Sequence, residues 1–485
     1  MSSEPKTVAI VGGGLAGLSA GCALADAGFK VTVYERRPYL GGRASSYEHP
    51  ATGEIVDNCQ HVLLGCCTNL IDLYKRIGVE NQVRWYDRMT FIEPGGRRSE
   101  IFMTSLPAPM HTAPSFLRSH ALSFKDKLSI TRAMFALMPR LPEDDGTDFL
   151  TWLKRHGQTK RAIERFWNVV LVSALNEDLD KTSVRSAALV FRDAFLKSAE
   201  AGTMGVPAVP LTQLYSEAGE YIRERGGTIE LRAVVESVQG SVFRKYGTEN
   251  GAAKKDRLDP AVRLCIAGTE ALRDFAVLAV PFDVLGKIIP DSSPARPLRE
   301  KLEQFETSPI TGVHLWFDRE ITGLEHAVLL DRTIQWMFHK SRIQARVGKQ
   351  QEGKPVGSYI ELVISASNSL VQRSRGEIVD SAVRELAEFF PEVKNATLLK
   401  STVIKEIHAT YSPKPGSDAH RPGPETAWPQ IFLAGDWTAT GWPATMESAV
   451  RSGYIAAEAL CRAAGVGRRF LVDDLAPKGL MRLFK

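Results

Sequence analysis

Apolar residues near the start of the chain form two short runs that flank a helical stretch. Residues 7–11 are apolar and rich in β-branched side chains, and residues 30–35 repeat this pattern. Between them, residues 18–27 place apolar side chains on one face of a helix, and Gly28 ends that pattern. Because short β-branched runs of this kind are typical of buried parallel strands, the pattern predicts a strand–helix–strand unit.

Similar patterns recur along the chain and predict an α/β protein. Further buried strands are expected at residues 228–235, 275–280 and 431–434. Residues 446–460 then follow as a helix with small residues on one side. Apolar positions at helical or strand spacing predict additional elements, namely helices at 126–138, 146–156, 161–171 and 378–390 and strands at 312–317 and 357–364.

Composition places the chain among ordinary globular proteins. Of its 485 residues, 44% are hydrophobic and 24% are charged, and 61 Lys and Arg against 56 Asp and Glu leave a net charge of +5. These values exclude a disordered chain and provide no basic stripe for nucleic acid. At roughly 150 residues per domain, the length predicts two or three structural units.

The N-terminus and the cysteines indicate where the protein is located, and the histidines indicate whether it binds a metal. The sequence contains no run of about 18 apolar residues, so a single-helix membrane span is not predicted. Residues 1–6 are polar, unlike a secretory signal, and the six cysteines form no CxxC pair. We therefore expect a cytoplasmic protein with reduced thiols. The ten histidines show neither HxxxH nor HExxH spacing, so no metal site is predicted.

A glycine-rich turn links the first predicted strand to its helix. Gly12, Gly14 and Gly17 form a GxGxxG motif, and Glu35 ends the second strand 21 residues after Gly14. Gly12 permits a tight turn, Gly14 lets backbone N–H groups approach a pyrophosphate, and Gly17 allows close packing of the helix on the strand. The Glu35 carboxylate can accept hydrogen bonds from a ribose. The motif therefore predicts a bound dinucleotide, with its phosphates at the helix N-terminus.

Two further segments indicate FAD rather than NAD. Residues 36–43 place a second glycine pair and Arg43 just after Glu35, which suits a larger cofactor with another phosphate-facing loop. The charge of Arg36 is interpreted as solvated, because Glu35 would repel a 2′-phosphate. Near the C-terminus, residues 435–436 end a predicted strand, and the next helix could stabilise negative charge on a reduced flavin. The candidate FAD-binding residues are Gly12, Gly14, Gly17, Glu35, Arg36, Gly42, Arg43, Val234, Gly435, Asp436, Thr445 and Met446.

Several stretches of the chain resemble a known group of flavoenzymes. The strand–helix–strand unit, the segment from Glu35 to Arg43 and the block at residues 434–436 are similar to the amine oxidase/phytoene desaturase superfamily of FAD enzymes. The resemblance covers essentially the whole chain. Within that superfamily the chain resembles hydroxysqualene dehydroxylase, also called squalene-associated FAD-dependent desaturase, at residues 57–65, 166–167, 174–176, 433–438 and 443–445.

The resemblance implies a Rossmann-like FAD-binding domain of the GR2 type with a discontinuous α+β substrate domain. Each domain would be assembled from separated parts of the chain. The implied FAD-binding domain comprises residues 1–75, 207–290 and 405–465. The implied substrate-binding domain comprises residues 76–206 and 291–404, and residues 466–485 form a C-terminal tail.

The resemblance also implies a reaction in squalene and hopanoid biosynthesis. The substrate would be hydroxysqualene, a long apolar isoprenoid whose allylic hydroxyl is replaced by hydrogen. Such a site needs an acid near the leaving oxygen, an apolar channel and little water. Asp57, Gln60 and His61 form a dense polar patch in an apolar stretch. We expect Asp57 or His61 to be the acid and Gln60 to orient the hydroxyl; alternatively, these residues bind the flavin ring or the loop backbone.

Several alternatives stay open at this point. The enzyme could be a carotenoid or phytoene desaturase that uses the flavin oxidatively, or the chain could be a non-catalytic FAD-binding partner in an isoprenoid complex. Trp437 and Trp442 either wall the flavin or pack the last helix. Phe166 and Trp167 either line the substrate cavity or belong to the core. His314, in a strand-like run, is expected to be a core histidine.

Peripheral membrane contact is considered because an isoprenoid substrate partitions into lipid. Residues 116–141 and the tail at 475–485 interleave apolar and basic side chains. Both segments could lie at the inner face of the cytoplasmic membrane. The alternative is an amphipathic cover on the substrate domain and a tail that docks on its own protein.

Overall fold

A computed structural model describes residues 4–245, 258–344 and 357–484. The strands of these ranges are β1 (Thr7–Val11), β2 (Lys30–Glu35), β3 (Ser46–Glu48), β4 (Ile55–Asp57), β5 (Leu63–Leu64), β6 (Val83–Tyr86), β7 (Arg88–Ile92), β8 (Arg98–Phe102), β9 (Met204–Pro207), β10 (Thr228–Leu231), β11 (Val235–Lys245), β12 (Leu258–Ile266), β13 (Thr269–Arg273), β14 (Phe275–Leu278), β15 (Thr307–Phe317), β16 (His326–Leu329), β17 (Trp336–His339), β18 (Ser358–Ser365), β19 (Leu398–Tyr411) and β20 (Ile431–Leu433). The helices are α1 (Leu15–Asp26), α2 (Thr68–Arg76), α3 (Ala113–Arg118), α4 (Phe124–Leu137), α5 (Phe149–Arg155), α6 (Lys160–Ala162), α7 (Asn168–Leu175), α8 (Val184–Val190), α9 (Leu211–Glu224), α10 (Phe282–Ile288), α11 (Arg296–Leu302), α12 (Lys340–Gln344), α13 (Arg375–Phe389) and α14 (Met446–Ala463).

A five-stranded parallel sheet carries the N-terminal unit. Its strand order is β10-β2-β1-β14-β20, so β1 lies at the centre with β2 on one side and β14 on the other. The sheet takes strands from three separated parts of the chain, at 7–35, 228–278 and 431–433. The predicted strand–helix–strand unit is confirmed, because β1, α1 and β2 follow one another around the GxGxxG turn.

Helix α14 packs closely on α1 and so brings the C-terminus to the glycine-rich turn. A Cβ on Gly453 would lie 2.0 Å from Ser19 Oγ and 2.3 Å from the Ala16 carbonyl oxygen. Ser19 Oγ donates to the Val450 carbonyl oxygen at 3.2 Å. The small residues expected on one side of this helix are therefore what lets the two helices approach.

A second, seven-stranded sheet has the order β19-β15-β18-β17-β16-β7-β8. Its neighbouring strands are antiparallel, except for β16 and β7, which are parallel. Helix α13 covers one face, where Ile378 and Leu386 pack with Val313 and Leu362 of the sheet. Helices α4 to α8 form a separate layer around the buried Trp167. The α/β fold class is confirmed, with a parallel FAD-type sheet beside a mixed α+β region.

Two predicted elements differ in detail from the structure. The helix expected at 161–171 is divided into α6, a π-helical turn at Ile163–Trp167, and α7. The strand expected at 228–235 ends at Leu231, because Arg232 has φ +57° and turns the chain before β11 begins. The domain limits stay a prediction, and one of them, between residues 404 and 405, falls inside the continuous strand β19.

Membrane-spanning helices were sought in the described ranges. None of the helices there is both long enough and apolar enough to cross a bilayer.

Candidate active site

The GxGxxG turn lies against the second glycine pair, and together they form a backbone cradle. Gly12 has φ +109°, and a Cβ on Gly17 would lie 1.9 Å from the Gly12 carbonyl oxygen. Gly14 and Gly41 form a parallel bridge, and a Cβ on Gly42 would lie 2.9 Å from the Gly14 Cα. Side chains at these positions would fill the cradle. Its geometry therefore fits the pyrophosphate of FAD beside the N-terminus of α1.

Glu35 lies at the end of β2, beside this cradle. Its carboxylate accepts a hydrogen bond from the Gly13 backbone N–H at 2.7 Å. The loop through Val234 runs alongside, because the Ala233 N–H donates to the Glu35 carbonyl oxygen at 2.9 Å. Val234 is 50% exposed, and Arg36 is exposed as expected for a solvated charge. Glu35 and Val234 are thus brought together at one edge of the sheet, and their contact with the cofactor stays a prediction.

Arg43 and Asp436 are 393 residues apart in sequence and form an ion pair. Arg43 Nη2 donates to Asp436 Oδ1 at 2.6 Å, and Nη1 donates to the Ala409 carbonyl oxygen at 2.7 Å. Burial lowers the pKa of Arg43, but the Asp436 carboxylate raises it, and the net pKa lies above its usual value. The sequence assigned both residues to the cofactor separately, whereas the structure shows that each is also the partner of the other.

The start of α14 meets the end of β20 at the same place. Thr445 is the N-cap of α14, since its Oγ1 accepts a hydrogen bond from the Ser448 N–H at 3.1 Å. Met446 is the first residue of the helix. The Gly435 N–H donates to Ser452 Oγ at 2.8 Å, which ties the residue after the strand to the helix. The candidate FAD residues near the C-terminus, at the end of β20 and the start of α14, therefore lie close together and next to α1.

A cavity of about 520 Å³ lies between these elements and the helical layer. Its wall is largely apolar and includes Leu63 and Met446, which belong to the elements around the cradle. Exposed wall residues, among them Leu117 and Phe135, mark the end where it reaches the surface. The cavity thus connects the protein surface with the elements that carry the candidate FAD residues.

The structure separates the aromatic residues that the sequence left undecided. Trp442 and Phe166 line the cavity. Trp437 and Trp167 are 1% and 0% exposed and pack in hydrophobic cores. His314 is fully buried, as expected of a core histidine, and burial lowers its pKa to about 3.

The predicted catalytic residues follow β4 and lie at a buried polar cluster. Asp57 Oδ1 accepts hydrogen bonds from Ser46 Oγ at 2.6 Å and from the Leu211 N–H at 3.1 Å. Asp57 Oδ2 accepts one from Lys340 Nζ at 2.6 Å. The same ammonium donates to Gln60 Oε1 at 2.7 Å. Asp57 and Gln60 are therefore brought together by a lysine from a distant part of the chain.

Charge keeps Asp57 ionised, which argues against its expected role as the acid. Burial raises the pKa of Asp57, but the Lys340 ammonium and the hydrogen bonds from Ser46 and Leu211 together lower it, and the net pKa is below its usual value. Burial lowers the pKa of Lys340, but Asp57 and Glu361 raise it above its usual value. A carboxylate that an ammonium holds ionised has no proton to donate at neutral pH. The geometry makes Asp57 an anchor for Lys340 instead.

His61 has the geometry of a neutral ring. Its Nδ1 lies 2.7 Å from the Cys59 carbonyl oxygen, which can only accept, so Nδ1 carries the hydrogen and Nε2 is left as an acceptor. Burial lowers the pKa of His61 below its usual value. The next residues, Val62 and Leu63, belong to the cavity wall. A neutral His61 has no proton on Nε2 either, and its Nδ1–H is bonded to the loop backbone, as in the alternative interpretation; proton uptake at Nε2 stays a prediction.

Sequence reasoning missed Lys340 and Glu361. Glu361 is fully buried 3.6 Å from Lys340 Nζ, and burial raises its pKa to about 7. Each is a charged residue next to or within an apolar strand, Lys340 directly after β17 and Glu361 in the middle of β18. A charge in an apolar strand is the signal that could have found them. Within the described residues, no group of three or more His, Cys, Asp or Glu side chains could hold a metal ion.

Two named relatives align with nearly the whole chain. The chain is 27% identical over 475 residues to 15-cis-phytoene desaturase of Synechococcus elongatus, and the alignment covers 93% of this chain and 95% of that protein. It is 26% identical over 489 residues to a probable zeta-carotene desaturase of the same organism, with 95% and 99% covered. The chain is therefore similar to carotenoid desaturases along its whole length.

Solved structures agree on the fold. A double mutant of putrescine oxidase superposes with a TM-score of 0.68 at 16% identity, covering 95% of this chain and 99% of that one. An oxidoreductase from Methanosarcina mazei superposes with a TM-score of 0.66 at 16% identity, covering 92% and 98%. A model of the flavin-containing amine oxidoreductases matches residues 15–461. Together with the glycine cradle, this match shows that the chain belongs to the flavin-containing amine oxidoreductase family and is an FAD-dependent oxidoreductase.

Proposed function

We propose that this protein removes the allylic hydroxyl of hydroxysqualene reductively and releases squalene. The observation that carries the proposal is the apolar cavity, which runs from the surface to Trp442 and Met446 beside the candidate FAD residues. A long isoprenoid with one hydroxyl group needs an apolar tunnel with polar groups near one end. The Gln60–His61 pair lies outside the cavity wall but directly precedes wall residue Val62, and we assign the polar role to it.

The chemistry divides between the cofactor and the chain. When bound, reduced FAD would supply the hydride for the new C–H bond. The apolar wall keeps water away from the allylic carbon while the C–O bond breaks. His61 takes up a proton at Nε2 and passes it to the hydroxyl, which leaves as water, while the Gln60 amide orients the hydroxyl. Asp57 stays ionised throughout and holds Lys340 in place.

Desaturation of a carotenoid-type polyene is the second candidate function. It is favoured by the names of the relatives, which are phytoene and zeta-carotene desaturases. That reaction would use the same cavity with oxidised FAD, which would accept a hydride from the substrate. The two candidates therefore differ in the direction of electron flow and not in the shape of the site.

One assay distinguishes the candidates. The purified FAD-loaded protein is reduced anaerobically and given hydroxysqualene, and the oxidised protein is given phytoene, with both products identified by mass. Squalene is the expected product. Phytoene with added double bonds would instead support the desaturase, and no turnover of either substrate would favour an FAD-binding partner without catalysis.

Blocking the cavity tests where the substrate binds. Ala174 lines the cavity, so Ala174→Trp should fill part of it and lower kcat/KM about tenfold or more while FAD stays bound. Ala419 is exposed and lies outside the cavity wall, so Ala419→Trp is the matched control and should retain activity. Wild-type kcat/KM in the Ala174 variant would contradict the assignment of this cavity.

We also propose that the open end of the cavity contacts a lipid surface. The two segments that the sequence singled out meet there, because the Leu480 N–H donates to the Ala108 carbonyl oxygen at 2.8 Å and Met481 packs on Ala108 and Met138. Part of the tail thus docks on the protein. Six apolar side chains in these two segments are 54–78% exposed. We call them the apolar rim: Leu117, Phe124, Leu128, Phe135, Leu480 and Leu483.

Basic residues accompany the apolar rim. Arg118, Lys125 and Arg132 are exposed on or beside α3 and α4. This combination of apolar and basic side chains suits an anionic bilayer surface. A substrate dissolved in lipid could then enter the cavity without crossing water.

A further inference from the structure

Lys340 joins the mixed sheet to the loop that leads into the cavity wall. It begins α12 directly after β17 and is 1% exposed. Its Nζ lies 2.6 Å from Asp57 Oδ2, 2.7 Å from Gln60 Oε1 and 3.6 Å from Glu361 Oε2. An ammonium carries three N–H donors, and two of them bond Asp57 and Gln60 at the two ends of the 57–60 segment, whereas Glu361 of β18 lies beyond hydrogen-bond distance. One side chain therefore attaches this segment to the sheet.

Lys340 also decides which end of the Gln60 amide faces the cluster. An ammonium only donates, so the amide atom beside it must be the oxygen. The amide nitrogen then points the other way, and it donates to the His61 carbonyl oxygen at 3.0 Å. The direction of the Gln60 amide is thus imposed by a charge that lies outside the cavity wall.

We propose that Lys340 is a positioning residue of the active site, which fixes the Gln60 amide and the path of the 57–61 loop by binding Asp57 and Gln60 at once. The proposal rests on the proposed function in one respect, namely that Gln60 and His61 act on the substrate hydroxyl. Neither Lys340 nor Gln60 lines the cavity, but the 57–61 loop leads directly into wall residue Val62, so Lys340 acts through this loop and not by touching the substrate.

The charges around the loop make a second effect of Lys340 measurable. Asp57 raises the pKa of His61, whereas Arg43 and Lys340 lower it. Lys340→Met should therefore raise the pKa of His61, Asp57→Asn should lower it, and the double variant should return it toward the wild-type value. The orientation of Gln60 does not recover in the double variant, because the ammonium is still missing.

The first test needs no substrate and so does not depend on the proposed reaction. FAD-loaded protein labelled with nitrogen-15 in Gln and His is studied by NMR, with signals assigned through Gln60→Leu and His61→Ala. Lys340→Met should accelerate hydrogen exchange of the Gln60 amide about tenfold and raise the pKa of His61. The double variant with Asp57→Asn should restore the pKa and leave the exchange fast. Unchanged Gln60 exchange in Lys340→Met would overturn the proposal.

The second test uses the substrate that the wild-type enzyme turns over. In Lys340→Met, the limiting kcat at low pH should fall about tenfold with KM within about threefold, and the pH midpoint should rise. Adding Gln60→Leu to Lys340→Met should lower kcat only slightly further, because both changes remove the contact between Lys340 and Gln60. Recovery of kcat in the double variant with Asp57→Asn would overturn the proposal, since charge balance alone would then explain the loss.

Matched variants separate positioning from misfolding. Lys340→Met should retain FAD and a cooperative thermal transition, and Lys340→Arg, which keeps the charge and the donors, should restore part of kcat. Lys287 is exposed on α10, and Lys287→Met should leave both the NMR signals of Gln60 and the turnover unchanged. A kcat of Lys340→Met equal to that of Lys287→Met would also overturn the proposal.

Discussion

At the residue scale, burial and one shared cation shift the pKa values of two neighbouring carboxylates in opposite directions. Asp57 is bonded by Lys340, Ser46 and a backbone N–H, and its pKa lies below the usual value. Glu361 is equally buried, but it lies 3.6 Å from the same ammonium, and its pKa is raised to about 7. A single ammonium cannot fully compensate two buried carboxylates, so the pKa of the more distant one, Glu361, is raised.

The raised pKa of Glu361 predicts a pH-dependent cost to stability. Its pKa rises from 4.5 to about 7 on folding, so the folded protein binds this proton more tightly than the unfolded chain. The stabilisation is fully present below about pH 4.5 and is lost as the pH rises through about 7. In urea unfolding, the free energy of unfolding of Glu361→Gln relative to that of the wild type should increase by up to about 3 kcal/mol between about pH 5 and pH 8.

A surface control accompanies the Glu361 experiment. Glu303 is exposed, and Glu303→Gln makes the same chemical change without burial. Its stability relative to the wild type should be the same at both pH values. If Glu361→Gln also showed no pH-dependent gain, Glu361 would have to be ionised at neutral pH, contrary to the effect of burial.

At the element scale, irregular helical turns and one left-handed residue shape the substrate region. The π-helical turns Ile163–Trp167 and Phe191–Leu196 both contribute to the cavity wall. A π-helical turn shifts the side chains of the next helical residues, and such turns are frequent at functional sites. Helix α7 then ends at Asn176, which has φ +53°. These local departures from regular geometry place Phe166 in the cavity and Trp167 in the core.

Asn176 should be a stability determinant of this region. Its Nδ2 donates to the Ser308 carbonyl oxygen and to Thr410 Oγ1 at 3.0 Å each, and its Oδ1 accepts from the Ala366 N–H at 2.7 Å. Asn176→Ala removes these three hydrogen bonds. It also places an alanine, whose Cβ disfavours positive φ, in a left-handed conformation. We expect a loss of about 2–4 kcal/mol in urea unfolding.

A glycine variant separates the two causes. Gly adopts positive φ without strain, so Asn176→Gly loses the three hydrogen bonds but avoids the backbone penalty. It should therefore be less destabilised than Asn176→Ala. Equal stability of Asn176→Ala and the wild type would contradict the assigned role of the side chain.

At the scale of the whole molecule, the cavity connects two surfaces of different chemistry. One end lies beside the glycine cradle and the Arg43–Asp436 ion pair, and the other opens at the apolar rim. The rim combines α3 and α4 with the tail, and its last residue on α4, Phe135, lies 345 positions before Leu480. Only the complete fold assembles a cavity that joins the apolar rim to the elements around the glycine cradle.

Membrane contact through the apolar rim can be measured by vesicle flotation. Phe124→Glu with Leu128→Glu places two charges on the exposed face of α4. Because each fully buried apolar side chain contributes about 1.5–3 kcal/mol, binding to phosphatidylglycerol-containing vesicles should fall at least about tenfold. Turnover of substrate in detergent should remain.

The matched control places the same charges elsewhere. Ile55 and Leu399 are each 59% exposed, on β4 and β19, and their double replacement by Glu should leave flotation unchanged. Wild-type protein that stays at the bottom of the gradient would contradict the membrane proposal. Equal loss of flotation in both double variants would show that net charge, and not the apolar rim, controls binding.

Much of the cofactor site could be predicted from the sequence because its signals are local. The turn with Gly12, Gly14 and Gly17 and the strand that ends at Glu35 lie within 30 residues of one another, and the spacing of apolar positions reports their conformation directly. Gly435 and the helix from Met446 were recognisable for the same reason. Strand β10 was predicted too long because nothing in its residue types indicates the left-handed Arg232.

By itself, the sequence predicted the parallel βαβ unit and the glycine cradle from periodicity and glycine spacing, and its resemblance to a family of FAD enzymes implied the chemical class. Tertiary structure alone decided that Arg43 pairs with Asp436, that Lys340 binds Asp57 and Gln60, and that the cavity ends at the apolar rim. These contacts join residues hundreds of positions apart. Their energies depend on burial and on the distance between charges, which exist only once the chain is folded.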